Sequence, residues 1–135
     1  EAVVSNQLIA SYLAQEGVEI VRNIRDTNYI RIAKGGAGAW DDGLVGCQDG
    51  CEADYNDNPL VLAPISGSPL QILGIVSDIG YVYNEGGAAT TFTRKITVLS
   101  SAVDKLDIQV QVDWQDHGDT RSVLVDTELY NWAGL

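Results

Sequence analysis

The sequence has few of the residues that build catalytic or metal centres. It contains one histidine, His117, and two cysteines among 135 residues. A structural zinc site needs about four nitrogen or sulfur ligands, which this composition does not supply. Nucleophilic catalysis needs a base beside the nucleophile, and His117 stands in the turn-forming run Asp-His-Gly-Asp, where we expect it to be exposed. The sequence therefore predicts no catalytic residue and a protein that is not an enzyme.

Positive charge is also scarce. Eight Lys and Arg residues stand against 19 Asp and Glu residues, which gives a formal net charge of -11. The acidic residues are spread along the chain, so we expect no basic surface for nucleic acid or for anionic lipid. Apolar residues make up 45% of the sequence. This fraction is typical of a folded protein, and we expect residues 1–135 to form one domain.

A run of eighteen apolar residues is missing, and the first residues lack the pattern of a signal peptide. Only Gln-Asp-Gly separates Cys47 from Cys51, and this spacing favours a local disulfide that closes a small loop. Such a bond implies folding outside the cytoplasm. Two interpretations follow: either a targeting segment lies upstream and has been removed, or both cysteines are free thiols.

The first part of the chain predicts one long helix. Residues 2–28 contain no proline and one glycine, and a helix of this length extends roughly 40 Å. One face is apolar along much of its length, which indicates packing on a core. No charge occurs between Glu1 and Glu16, and the apolar surface broadens around the axis there, so this end requires a second partner.

The remaining chain divides into loops and a sheet. Residues 31–76 are rich in glycine, acidic residues and other loop formers, and we interpret them as connecting loops with a flexible glycine segment. Two short apolar pieces in this region, residues 60–63 and 70–76, are candidates for brief strands, although no clean period separates strand from turn there. In residues 77–135, alternation of apolar and polar residues predicts strands, with a hairpin turn at residues 116–119 whose Asp side chains bond local backbone. The predicted fold class is α+β, with a long helix, residues 1–30, packed on a three- to four-stranded antiparallel sheet.

The acidic part of the loops offers a different function. Hard oxygen ligands are concentrated in residues 40–58, and the weak calcium candidates among them are Asp54, Asn56 and Asp57. The run departs from an EF-hand loop, because Pro59 stands where glycine is needed and Ile65 where the bidentate acid is needed. The alternatives are a solvated acidic loop without any cofactor, or an extracellular binding or adhesin module that uses this loop, with calcium as a possible ligand.

Both ends of the chain resemble a known family. The stretch SNQLIASYLAQEGVEIVRNIRDTNYI, residues 5–30, resembles the segment after the membrane-spanning part of minor pilins of the type IV pilus modification class. The stretches FTRKITV, residues 92–98, and LDIQVQVDWQDHGDTRSVLVDTELYNW, residues 106–132, resemble the closing strands of the same proteins. The resemblance covers about half of the chain and extends to the pseudopilins of type II secretion systems.

The resemblance implies the ladle-shaped pilin fold and assembly with other pilin subunits into a cell-surface filament with a core of bundled helices. It also implies that contact with the membrane occurs only through an upstream helical segment absent from this chain. That segment was removed or is supplied by another chain. The residues expected at the filament interface are Val3, Val4, Leu8, Ile9 and Tyr12.

Overall fold

The computed structural model describes residues 2–53, 62–64, 71–72, 81–82 and 88–134. Helix α1 spans Ala2–Ala33, three residues beyond the predicted end at residue 30. The strands are β1 (Cys51–Glu52), β2 (Ala63–Pro64), β3 (Gln71–Ile72), β4 (Tyr81–Val82), β5 (Ala88–Ala89), β6 (Thr93–Ala102), β7 (Lys105–Asp116) and β8 (Asp119–Tyr130).

The principal sheet has five antiparallel strands in the order β2-β1-β6-β7-β8. The α+β class, with a helix on an antiparallel sheet, is therefore confirmed, but the prediction of three or four strands is wrong. The two additional strands come from residues 31–76: β1 lies in a stretch interpreted as loop, whereas β2 overlaps the short apolar piece at residues 60–63 that was a candidate for a brief strand. Each has two residues, too few to display an alternating pattern. Strands β3, β4 and β5 form a separate three-stranded sheet.

Strands β6, β7 and β8 form a meander whose side chains alternate between a buried and a solvent-facing surface. In β7 the even-numbered residues from Leu106 to Trp114 are buried, as the alternation predicted. The β7–β8 turn consists of His117 and Gly118, both with positive φ angles, 51° and 86°. Two such residues form the type of turn that matches the twist of a two-residue hairpin. The predicted hairpin is confirmed.

The core lies between α1 and the buried face of the sheet. Leu13, Ile96, Val110 and Val112 are each fully buried. Gly17 allows the helix to approach β7 closely, because a β-carbon at this position would lie 2.8 Å from Cγ1 of Val110. The absence of a side chain at one helical position therefore sets the distance between the two layers.

The glycine-rich segment after α1 is held against the helix by side chains. Nδ2 of the buried Asn28 donates to the carbonyl oxygens of Trp40 at 2.9 Å and Asp42 at 2.8 Å. Arg31 donates to the Ala37 carbonyl and to the Asp42 carboxylate. These contacts connect the segment, interpreted from sequence as a flexible connector, to the last turns of α1.

Candidate functional site

The beginning of α1 has two faces of different character. Ala10, Leu13 and Ala14 have no solvent exposure, whereas Leu8 and Tyr12 are 67% and 54% exposed. The polar neighbours on the exposed side are Gln7, Ser11 and Gln15. This end of the helix therefore presents an uncharged surface with two large apolar side chains at i and i+4 spacing.

The structure separates the five residues that the sequence grouped as an interface. Leu8 and Tyr12 lie together on the exposed face, whereas Ile9 is half-buried and packs against the core. Val3 and Val4 belong to the helix backbone, but their side chains lie outside the described part of the structure. We use the name assembly surface for Leu8, Tyr12 and their exposed neighbours between residues 7 and 15, after the interface predicted from sequence.

The assembly surface is connected to the core by a buried ion pair. The Tyr12 hydroxyl donates to Glu16 Oε2 at 3.1 Å, and Arg94 Nη1 donates to Glu16 Oε1 at 2.7 Å. The Arg94 side chain is fully buried, and that of Glu16 is 11% exposed. Arg94 also donates to the carbonyl oxygens of Leu13 at 2.9 Å and Ala53 at 2.5 Å. One guanidinium group therefore joins α1, β6 and the chain immediately after β1.

The two cysteines form a disulfide inside the core. Cys47 and Cys51 are each 3% exposed, and their α-carbons lie 5.4 Å apart. Cys51 pairs with Ile96 of β6, and the Val98 amide donates to the Cys47 carbonyl at 3.1 Å. The predicted pairing is confirmed, but the small loop that it closes is packed against the sheet and is more than a surface feature.

Calcium candidates Asp54, Asn56 and Asp57 lie outside the described residues. Within the described ranges, no group of three or more His, Cys, Asp or Glu side chains is arranged to hold a metal ion. The Asp42 carboxylate, from the first part of the same loop, accepts hydrogen bonds from Arg31 and from the Ala39 amide.

His117 is exposed at the tip of the β7–β8 hairpin, with its side chain 84% accessible. Its Nδ1 lies 2.7 Å from Oδ1 of the buried Asp116, and Arg121 Nε donates to Oδ2 at 2.8 Å. Burial raises the pKa of the Asp116 carboxyl, but the hydrogen bonds from His117 and Arg121 outweigh it and lower the pKa below its ordinary value. Asp116 was expected to bond local backbone. It contacts two neighbouring side chains instead.

Sequence reasoning missed the residues that organise the interior. Arg94 occupies a buried position in the alternation of Phe92, Ile96 and Val98, and this position was a usable signal that its charge required a buried partner. Glu16 is the first acidic residue after Glu1, which made it the candidate partner. The role of Asn28 carried no comparable signal, because it depends on the path of the following loop.

No helix in the described residues is both long enough and apolar enough to span a membrane. No family model, curated protein or solved structure was found to match this chain.

Proposed function

We propose that this chain is a structural subunit of a type IV pilus or a related filament, with the ladle-shaped fold of a minor pilin or pseudopilin. It would assemble through the first part of α1 and lie in a filament at the cell surface. The observation that carries the proposal is the assembly surface, where Leu8 is 67% and Tyr12 54% exposed on a helix whose opposite face is fully buried.

Two physical arguments support assembly at this surface. Burying a large apolar side chain that is otherwise exposed stabilises a complex by about 1.5–3 kcal/mol, so Leu8 favours a partner at this position. The chain has a net charge of -11, which makes copies repel one another. That repulsion is weakest where the surface of each copy has no charge, as it is between residues 7 and 15.

The disulfide supports a location outside the cytoplasm, which the proposal requires. Disulfides persist in exported proteins and are rare in the reducing cytoplasm, and the Cys47–Cys51 bond lies in the core beside β6. The expected partners are other pilin subunits, each of which contributes a helix to the filament.

The test introduces a charge at the centre of the assembly surface. Leu8→Asp should leave the domain folded, because the side chain is largely solvated, but it should prevent incorporation into filaments. The matched control is Val103→Asp, which replaces a side chain that is 91% exposed in the β6–β7 turn. Both variants would be expressed in the cells that produce the chain, and the sheared filament fraction would be probed with an antibody against it.

The expected result is wild-type protein and Val103→Asp in the filament fraction, with Leu8→Asp present in cells at an equal level but missing from filaments. Incorporation of Leu8→Asp would contradict the proposed surface. Absence of the wild-type chain from the sheared filaments would contradict the proposed function itself.

A further inference from the structure

The two edges of the five-stranded sheet are protected to different degrees. Strand β2, at one edge, has two residues and ends in Pro64. Strand β8, at the other edge, has twelve residues, contains neither proline nor lysine, and pairs with β7 without a register shift. Short strands, proline, bulges and charged side chains, lysine above all, are the common means by which proteins block edge pairing. Of these, β8 has only charged side chains (Asp119, Arg121, Asp126 and Glu128), and residues 122–125 carry none.

The outward backbone groups of β8 can be assigned from the hairpin. The Asn131 amide donates to the Asp104 carbonyl at 2.9 Å, and bonding direction alternates along antiparallel strands. Odd-numbered residues of β8 therefore bond to β7, whereas Ser122, Leu124 and Asp126 direct their amides and carbonyls away from it. In the described part of the structure, β8 has no neighbouring strand on that side.

Helix α1 covers one end of this edge. The Tyr130 carbonyl, which also points outward by the same alternation, accepts hydrogen bonds from the Tyr29 hydroxyl at 3.1 Å and from Arg25 at 3.3 Å. Among the described residues, no comparable side chain reaches the outward backbone groups between Ser122 and Asp126. Within the described part of the structure, the accessible edge is therefore the middle of β8.

The core is also incomplete along this edge. Leu129 is 2% exposed, but Val123 and Val125, which face the same side of the sheet, are half-buried. An additional strand beside β8 would place its own inward side chains next to these valines. Cross-strand apolar pairs of this kind stabilise the pairing of adjacent strands.

Charge identifies the kind of strand that fits. On the solvent-facing side, β8 presents Asp126 and Glu128, and Asp107 lies opposite Glu128 on β7. Lys105 of β7 pairs with both Asp107 and Glu128, and Gln109 Nε2 donates to Asp126 Oδ1 at 3.1 Å. Three carboxylates and one ammonium group leave this patch with a formal charge of -2. A basic side chain facing these carboxylates is favoured, whereas a second copy of the chain brings another net charge of -11. We propose that the middle of β8 binds an extended segment of a different polypeptide, with apolar residues facing the core and basic residues facing solvent.

This proposal does not depend on filament assembly, and it can be tested with a defined probe. The probe is the capped peptide KVKVKVKV, titrated into the isotopically labelled chain with its disulfide intact. The expected result is binding with amide-exchange protection at Ser122, Leu124 and Asp126. Two control peptides separate strand pairing from charge attraction: EVEVEVEV, and a fully N-methylated copy of the probe that keeps its charge and side chains.

Two variants of the chain test the same edge from the other side. Leu124→Pro removes an outward amide that β7 does not use, and it should weaken peptide binding by about tenfold or more. Leu124→Thr is its matched control and should bind like the wild type. Because proline can disturb the strand, Asp126→Lys provides a second test without a backbone change. It should weaken KVKVKVKV by about tenfold and favour EVEVEVEV.

Equal binding of the N-methylated peptide would overturn the proposal, because binding would then rest on charge alone. Protection elsewhere in the chain, or no binding of KVKVKVKV to the folded wild type, would also overturn it. Dimerisation through β8 in the absence of peptide would identify a second copy as the occupant and would likewise refute a basic partner.

Discussion

Replacing Arg94 with methionine tests the interaction that joins the helix to the sheet. Methionine is unbranched and apolar, so Arg94→Met keeps much of the side-chain volume and removes the guanidinium group. The Glu16 carboxylate, 11% exposed, then keeps the hydrogen bond from the Tyr12 hydroxyl but loses its ion-pair partner. The Ala53 carbonyl loses the donor at 2.5 Å.

The expected loss of stability follows from these two changes. Removing one partner of a buried ion pair costs about 3–5 kcal/mol, and the value should lie near 3 because Glu16 keeps some access to water. Leaving a buried carbonyl without its donor costs about 1 kcal/mol more. The Leu13 carbonyl adds little, because it lies in the helix and has an intrahelical donor. The free energy of unfolding should therefore fall by about 4 kcal/mol, a large part of the roughly 5–15 kcal/mol of a typical domain.

A double variant separates the effect of the broken ion pair from the effect of the lost hydrogen bond to the Ala53 carbonyl. Arg94→Met combined with Glu16→Met removes both charges, and replacement of a whole buried pair by apolar residues is often close to neutral. The double variant should recover about 3 kcal/mol and retain the roughly 1 kcal/mol deficit at the Ala53 carbonyl. Urea unfolding without reductant measures the wild type, Arg94→Met and the double variant. With a slope of about 2 kcal/mol/M, the midpoint of Arg94→Met should fall by about 2 M.

Two results would refute this reasoning. A loss below about 1 kcal/mol for Arg94→Met would show that the pair contributes no more than an exposed one. A double variant as unstable as Arg94→Met alone would show that the unpaired Glu16 carboxylate is not the cause of the destabilisation.

The remaining predictions concern packing and pH. Gly17→Ala should destabilise the domain by about 1–2 kcal/mol, because overpacking against Val110 exceeds the gain in helix propensity. In urea unfolding, the loss of stability caused by Gly17→Ala should be smaller in a Val110→Ala background. Equal losses in the two backgrounds would contradict a clash with Val110. The pKa of Asp116 is lowered in the folded state, because the hydrogen bonds from His117 and Arg121 outweigh the effect of burial. The stability that this carboxylate contributes is therefore fully present above its ordinary pKa of 3.8, and it is lost as pH falls through the folded pKa. The urea midpoints of wild type and Asp116→Asn should therefore converge below about pH 4; a difference that does not change with pH would contradict this.

The helix and the strands whose apolar residues recur with a clear period could be predicted from sequence. The elements that lack such a period could not. Alternation across β7 and the run Asp-His-Gly-Asp identified the hairpin because each depends on local chemistry. Strands β1 and β2 exist because backbone beside Cys51 pairs with β6 and with residues 63–64. A strand of two residues is too short to show an alternation of apolar and polar residues, and the strand that it pairs with is distant in sequence. The conformation of the glycine-rich segment likewise depends on Asn28 and Arg31, which precede it on the helix.

The candidate site shows the same division. The change from apolar to charged residues along α1 was the signal for the proposed assembly surface, but it could not distinguish Ile9 from Leu8, because their burial depends on where the sheet begins beneath the helix. For a related reason, the sequence could not show that β8 lies at an edge of the sheet. Strand order is a property of the whole sheet, and a strand sequence alone does not show whether a neighbour lies on both sides.

The assembly surface and the β8 edge lie at different places on the domain, and this allows each proposal to serve as a control for the other. Leu8 lies on the exposed face of α1, opposite the buried Ala10, Leu13 and Ala14, whereas the outward amide of Leu124 lies in the plane of the sheet at its β8 edge. Leu8→Asp should therefore leave peptide protection at Leu124 unchanged, and Leu124→Pro should still enter filaments. If a folded variant lost both peptide binding at β8 and incorporation into filaments, the two surfaces would be coupled through the domain. The prediction that they act independently would then be wrong.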